Sequence, residues 1–95
     1  MEITGTFQSG GTVSLLVVAF TSSAPATQSA AGMTIIPTSG PLIGRPVRVK
    51  SMVDNGDSTY NVTLIQDLPA TAMIPANGNL FKMGFVDDQI DNQVR

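Results

Sequence analysis

Three glycine-containing dipeptides, Gly10-Gly11, Asn55-Gly56 and Asn77-Gly78, stand between runs rich in Val, Ile, Leu, Phe and Thr. Each can supply the positive φ values that a two-residue hairpin loop requires. Nowhere do apolar residues recur at three- to four-residue spacing without Gly, Pro or a β-branched run intervening, so no helix of ordinary length is expected. These features predict an all-β fold, a small antiparallel β-sandwich or barrel of about six to seven strands built from hairpins.

Register tests the expectation. With Asn55-Gly56 in the loop, Val47 faces Leu64, Val49 faces Val62 and Ser51 faces Tyr60 on one side of the hairpin. Arg48 with Thr63, Lys50 with Asn61 and Met52 with Thr59 then share the other side, which separates apolar from polar residues. With Asn77-Gly78 in the loop, Ile74, Ala72 and Ala70 oppose Phe81, Met83 and Phe85, and Pro75 pairs with Leu80 at a site where its missing N–H does no harm. An edge strand over 70–75 follows. With Gly10-Gly11 in the loop, Ile3, Gly5 and Phe7 share a face with Ser14, Leu16 and Val18, and Thr4, Thr6 and Gln8 share the other with Val13, Leu15 and Val17.

The second of these strands is apolar on both sides, unlike a sandwich strand with one face to water. Its cover is the segment that follows, another strand or a second copy. Residues 21–45 are rich in Ser, Ala, Pro, Thr and Gly and read as an extended loop or arm, with the apolar piece Met33–Ile36 forming a strand or lying over a neighbour. The expected interface is Val13, Leu15, Val17, Met33, Ile35, Met52 and Met73, with Met52 and Met73 facing outward. The polar tail at 87–95 completes a single domain spanning 1–95.

Composition limits the partners. Charged residues make up 13% of the 95 residues, against about 25% in an ordinary soluble domain, so the surface is largely uncharged and poorly protected against association. The net charge of −2 gives no electrostatic footprint for nucleic acid. Arg45, Arg48 and Lys50 form one local basic patch, read as the solvated face of a strand in preference to a contact for an acidic partner. The run TVSLLVVAF at 12–20 followed by SSAPATQSAAG imitates a signal peptide, but no Lys or Arg precedes it. It falls far short of the roughly 20 residues that cross a bilayer and is read as a buried strand; no membrane association is expected.

Chemistry is sparse. The chain has no His and no Cys, so a Ser nucleophile would need Lys50 or Lys82 as its base, and neither is marked as desolvated. The acids cluster at 54–57 and 87–91 without converging on a cleft. No enzyme activity and no cofactor is expected. Asp54, Asn55 and Asp57, or Asp87, Asp88 and Asp91, carry oxygen atoms that can ligate calcium, yet neither group has the spacing of an EF-hand loop, and turn formation accounts for the first. Asn61-Val62-Thr63 matches a glycosylation sequon, with Asn61 expected to face solvent. One Tyr and no Trp leave little for stacking single-stranded nucleic acid.

Residues 53–64, VDNGDSTYNVTL, resemble a hairpin of immunoglobulin-like and filamin-type repeats, in which an acidic Gly-containing turn precedes Thr-Tyr and an alternating strand; the Cys and Trp of antibody domains are missing. In its shortness, scarce charge, abundant Thr, Ser, Ala and Gly, and extended Ser/Ala/Pro segment, the whole chain resembles the capsid cement or decoration proteins of tailed bacteriophages. That resemblance implies a virion structural protein, assembled in the host cytoplasm, that stabilises a shell as a homo-oligomer in contact with a major capsid protein. The alternative is a β-sandwich module that binds protein or carbohydrate.

Overall fold

The computed structural model describes residues 3–85. Six antiparallel strands are found there: β1 (Ile3–Gln8), β2 (Leu15–Phe20), β3 (Thr34–Pro37), β4 (Val47–Asp54), β5 (Tyr60–Leu64) and β6 (Leu80–Gly84). They close into a barrel in the order β1-β2-β5-β4-β3-β6. The all-β expectation holds, in its barrel form. Closure removes the open edges that a sheet of this size would otherwise expose.

The β1–β2 loop is longer than two residues. Gly10 has φ +97° but Gly11 is not in the positive region, and the strands pair Phe7 with Val18 and Gln8 with Val17. Compared with the two-residue register, β2 has slid by four residues. An even slip keeps every side chain on its side, so Phe7, Leu16 and Val18 are buried as expected.

The β4–β5 hairpin also departs from its expected register, and here the slip is odd. A type I′ loop needs positive φ at both central residues, whereas Asn55 is not in that region; the positive values fall at Gly56 (85°) and Ser58 (73°). The loop therefore runs over 55–59, with the Asn55 N–H donating to the Thr59 carbonyl at 3.0 Å. Met52 pairs with Val62 and Val53 with Asn61, while across a bulge between Val49 and Ser51 Val49 stands opposite Leu64, two residues from its expected partner Val62. The bulge adds one residue to β4 and reverses its alternation. Val49 and Met52 both point inward, three positions apart, and Val53 is left exposed.

The strand expected over 70–75 does not form. Thr71–Met73 make a single 3₁₀ turn, and β6 is hydrogen-bonded on both sides, to β1 and β3, so no edge is free for a hairpin partner. Asn77-Gly78 still turns the chain: the Asn79 N–H reaches the Ala76 carbonyl at 3.1 Å and Gly78 has φ +92°, the value a type II turn requires at its third residue. The turn is tied to β1 through Gly78 N–H to Phe7 C=O and Phe7 N–H to Asn79 C=O, each 2.8 Å. Pro75 is buried, while Ala70, Ala72 and Phe85 are exposed in place of their expected inward positions.

Within the segment 21–45 the apolar piece forms a strand of the barrel, β3 at Thr34–Pro37, in place of an arm laid over a neighbour, and the rest connects β2 to β3 and β3 to β4. Residues 21–33 carry the chain from β2 to β3, past β5 and β4, and include a four-residue helix, α1 (Thr27–Ala30), whose Ala30 is fully buried. Hydrogen bonds from Gly32 N–H to Val49 C=O and from Val49 N–H to Met33 C=O, both 2.9 Å, fasten the crossing to β4. The barrel interior holds Phe7, Leu16, Val18, Ile35, Val49, Met52, Val62, Leu64, Phe81 and Met83. Phe7 and Phe20 flank Phe81 at centroid distances of 4.9 and 5.9 Å, and Tyr60 meets Phe20 edge-on at 5.2 Å, within the range for favourable aromatic pairs.

Candidate functional site

The residues expected to form an interface do not share one surface. Met33, Ile35 and Met52 are core residues, so these three belong to the barrel interior and the outward orientation expected of Met52 is corrected by the β4 bulge. Val13 and Met73 are partly buried and pack against the core. Leu15 and Val17 do lie on the outer side of β2, each half-buried and flanked by Thr63, Asn61 and Gln8 on the adjacent strands.

The acidic loop is self-contained. Asp54 Oδ1 accepts from the Gly56 N–H at 2.8 Å, and Asp57 Oδ1 accepts from both the hydroxyl and the N–H of Thr59, the latter at 3.1 Å. The Asn55 side-chain amide donates to Thr59 Oγ1 and Asn61 Oδ1, which leaves Asn61 half-buried. The Thr59 hydroxyl, followed by its N–H, holds the Asp57 carboxyl below its ordinary value. Both carboxylates thus cap backbone groups of a tight loop, the usual work of Asp in turns. Among the described residues no three His, Cys, Asp or Glu side chains come together; Asp87, Asp88 and Asp91, like the whole tail at 87–95, lie outside the described residues.

A concave feature lies elsewhere among the described residues. A groove of about 680 Å³ opens where β3 and β4 begin and β5 has ended. One wall is the β3–β4 loop with Leu42, Gly44, Arg45 and Pro46; the other is 65–69, with Ile65, Gln66, Asp67, Leu68 and Pro69. Each wall is anchored by one buried leucine, Leu42 and Leu68. Backbone bonds hold the walls: Gly44 N–H to Pro37 C=O (3.1 Å) and Arg45 N–H to Leu42 C=O (2.8 Å) on one side, and Ile65 N–H to Arg48 C=O (3.0 Å) and Leu68 N–H to Val13 C=O (2.7 Å) on the other. Gly44 stands at φ +75°, a conformation that suits Gly where the loop turns back.

Two of the three clustered cations, Arg45 and Arg48, line this groove and Lys50 does not. Both arginines are exposed. Thr34, the cross-strand partner of Arg48, also lines it, with only 3% of its surface exposed. Its Oγ1 is buried without a hydrogen-bond partner among the described residues. The basic cluster was visible in sequence, but Thr34, Gln66 and Asp67 had no signal there, because the register that joins them to the arginines depends on the barrel. Size, apolar walls and a few polar groups match the general form of a ligand site.

Against protein-family profiles, curated proteins and solved structures, no match to this chain was found.

Proposed function

We propose that this barrel is a structural subunit that works by protein–protein contact: a capsid cement or decoration subunit that stabilises a viral shell, associating with its own copies and with a major capsid protein. The observation that carries the reading is the outer surface. Ile43, Val53, Ile65, Leu80 and Phe85 are 46–62% exposed on a chain with 13% charged residues, and Leu15 and Val17 add an outward apolar pair on β2. Single exposed apolar residues are ordinary, but this many with so little charge favours a surface that is covered in use.

The test is native mass by light scattering over a wide range of protein concentration. A closed oligomer of fixed size supports the reading. A monomer at every concentration that also fails to associate with assembled shells overturns it and favours the second reading, a binding module. The groove is the observation that favours that second reading, and it points to a protein ligand over a carbohydrate. A sugar-stacking platform needs exposed aromatic faces, and Phe85 is the one exposed aromatic residue among those described.

A further inference from the structure

The groove floor contains a hydroxyl whose hydrogen-bonding capacity is unused. Thr34 sits on β3 between Met33 and Ile35, both core residues, and its own Oγ1 is buried and unpartnered among the described residues. Burying a hydroxyl without a partner is unfavourable, and valine would fill the same space on a strand without that penalty. Thr34 lines the groove, but its Oγ1 has almost no surface of its own open to solvent, so a partner reaches this hydroxyl only as the neighbouring groove side chains shift on binding.

The other polar groups narrow the chemistry. Arg45 and Arg48 provide donors suited to a carboxylate. Asp67 and its neighbour Gln66 also line the groove. Asp67 disfavours any anion close to it, a peptide carboxylate as well as phosphate, but a peptide also brings backbone N–H groups to meet Asp67 and carbonyls to meet the Gln66 amide, which phosphate does not. The remaining lining, Leu42, Val47, Ile65 and Leu68 among it, suits branched apolar side chains.

We propose that this groove binds an extended peptide segment of a partner protein, with an acidic side chain held by Arg45 and Arg48, a peptide or side-chain acceptor on Thr34 Oγ1, and neighbouring apolar side chains on the groove walls. The inference rests on what the subunit reading shares with the binding module, that the chain acts by protein contact, and names the chemistry of one contact. Ile65, half of whose surface is open at the groove's rim, becomes covered when the segment is bound.

The experiment is a titration of the ¹⁵N-labelled full chain, followed by NMR, with the blocked peptide acetyl-Leu-Asp-Leu-Asp-Leu-amide, with the same peptide carrying Asn for Asp, and with sodium phosphate. The expected result is saturable shifts at the amides of Thr34, Arg48, Gln66 and Leu68 with the acidic peptide, and affinity at least about fivefold lower for the Asn peptide. Arg48→Gln should lower the affinity for the acidic peptide to a similar degree. Thr34→Val should fold with unchanged or higher thermal stability and bind about threefold more weakly or worse.

No shifts at these amides, or equal affinity for the two peptides, overturns the proposal. Phosphate moving the same amides as strongly overturns it in favour of a free-anion site. Unchanged affinity in Thr34→Val removes the hydroxyl from the site. Light scattering on the same samples separates the two levels: a chain that associates but binds no peptide overturns this inference alone, and one that binds peptide but never associates with itself or with shells overturns the assembly reading alone.

Discussion

Gly5 and Phe81 are cross-strand partners on β1 and β6, and the Phe81 ring occupies the space where a side chain on Gly5 would stand. A Cβ on Gly5 would fall 2.6 Å from Phe81 Cζ and would also collide with the Ala19 carbonyl oxygen on β2. A glycine inside a strand usually marks such a close approach, and here it seats the central ring of the aromatic cluster. Gly5→Ala is expected to destabilise the barrel by roughly 1–3 kcal/mol through overpacking, read from the midpoint of urea unfolding. Phe81→Leu in the same chain should recover part of the loss, because the two sites are in contact and their effects do not add.

The bulge in β4 makes a sharp prediction about two adjacent residues. With it, Met52 is buried at 5% exposure and Val53 is 58% exposed; an unbroken alternation from Val49 would place Met52 outside. Met52→Ala should cost about 2–5 kcal/mol as a core truncation, while Val53→Ala should change stability by about 0.5 kcal/mol or less. Chemical denaturation of the two variants checks the difference, and the opposite order of effects would restore the unbroken register.

Gly56 stands at φ +85° with open space around it, so the cost of a side chain there is conformational alone. Gly56→Ala is expected to lose about 1–2 kcal/mol, and Gly56→Val more, because a branched Cβ resists positive φ more strongly. Thermal melts of the pair measure this. Equal stability of Gly56→Val and the parent chain would show that the loop can turn another way.

Asp57 should make the β4–β5 loop sensitive to acid. Its carboxylate is held below the ordinary value by Thr59, so the folded loop favours the ionised form and gains from it fully only above the unfolded-state value, about 3.9. As pH falls through the lower folded value, that gain disappears. The side chain is solvent-exposed, so the effect should be local: amide exchange at Thr59 should quicken with acid relative to the rest of β5, after correction for the intrinsic rate. In Asp57→Asn this added pH dependence should vanish.

The outer pair on β2 tests association without disturbing the core. Leu15 and Val17 alternate with buried Leu16 and Val18, and a charge introduced at Leu15 or Val17 faces outward. Leu15→Glu and Val17→Glu are expected to retain the fold by circular dichroism and to abolish self-association, since a charge in an interface would be left unpaired. Association equal to that of the parent chain would take β2 out of the contact.

The inward residues were partly legible in the sequence because period-2 alternation survives any even slip: Phe7, Leu16 and Val18 could be placed without the correct loop length. Met52 could not, because a bulge leaves no mark in the hydrophobic pattern of KSMVDNG beyond an ambiguity of one residue. The strand expected over 70–75 shows the limit of local turn chemistry. Asn77-Gly78 does turn the chain, but the partners of β6 are Ile3–Thr6 and Thr34–Pro37, both remote in sequence. Of the groove, the cluster Arg45 and Arg48 was visible; the unpartnered hydroxyl at Thr34 needed the packing around it to be known.

The neighbours of β1 set an order on how the chain is made. Gly5 and Phe81 must meet for the barrel to close, so nearly the whole described sequence has to be synthesised before the first strand finds its second partner. Until then β1 keeps an open flank, first in an isolated β1–β2 hairpin, a form with limited stability in water, and then, once Tyr60–Leu64 are made, at the end of a sheet extended through β5 and β4. Closure that depends on so distant a pairing is expected to be slow for a chain of this size. During that interval on the ribosome, the unpaired flank of β1 is open to any neighbouring nascent copy.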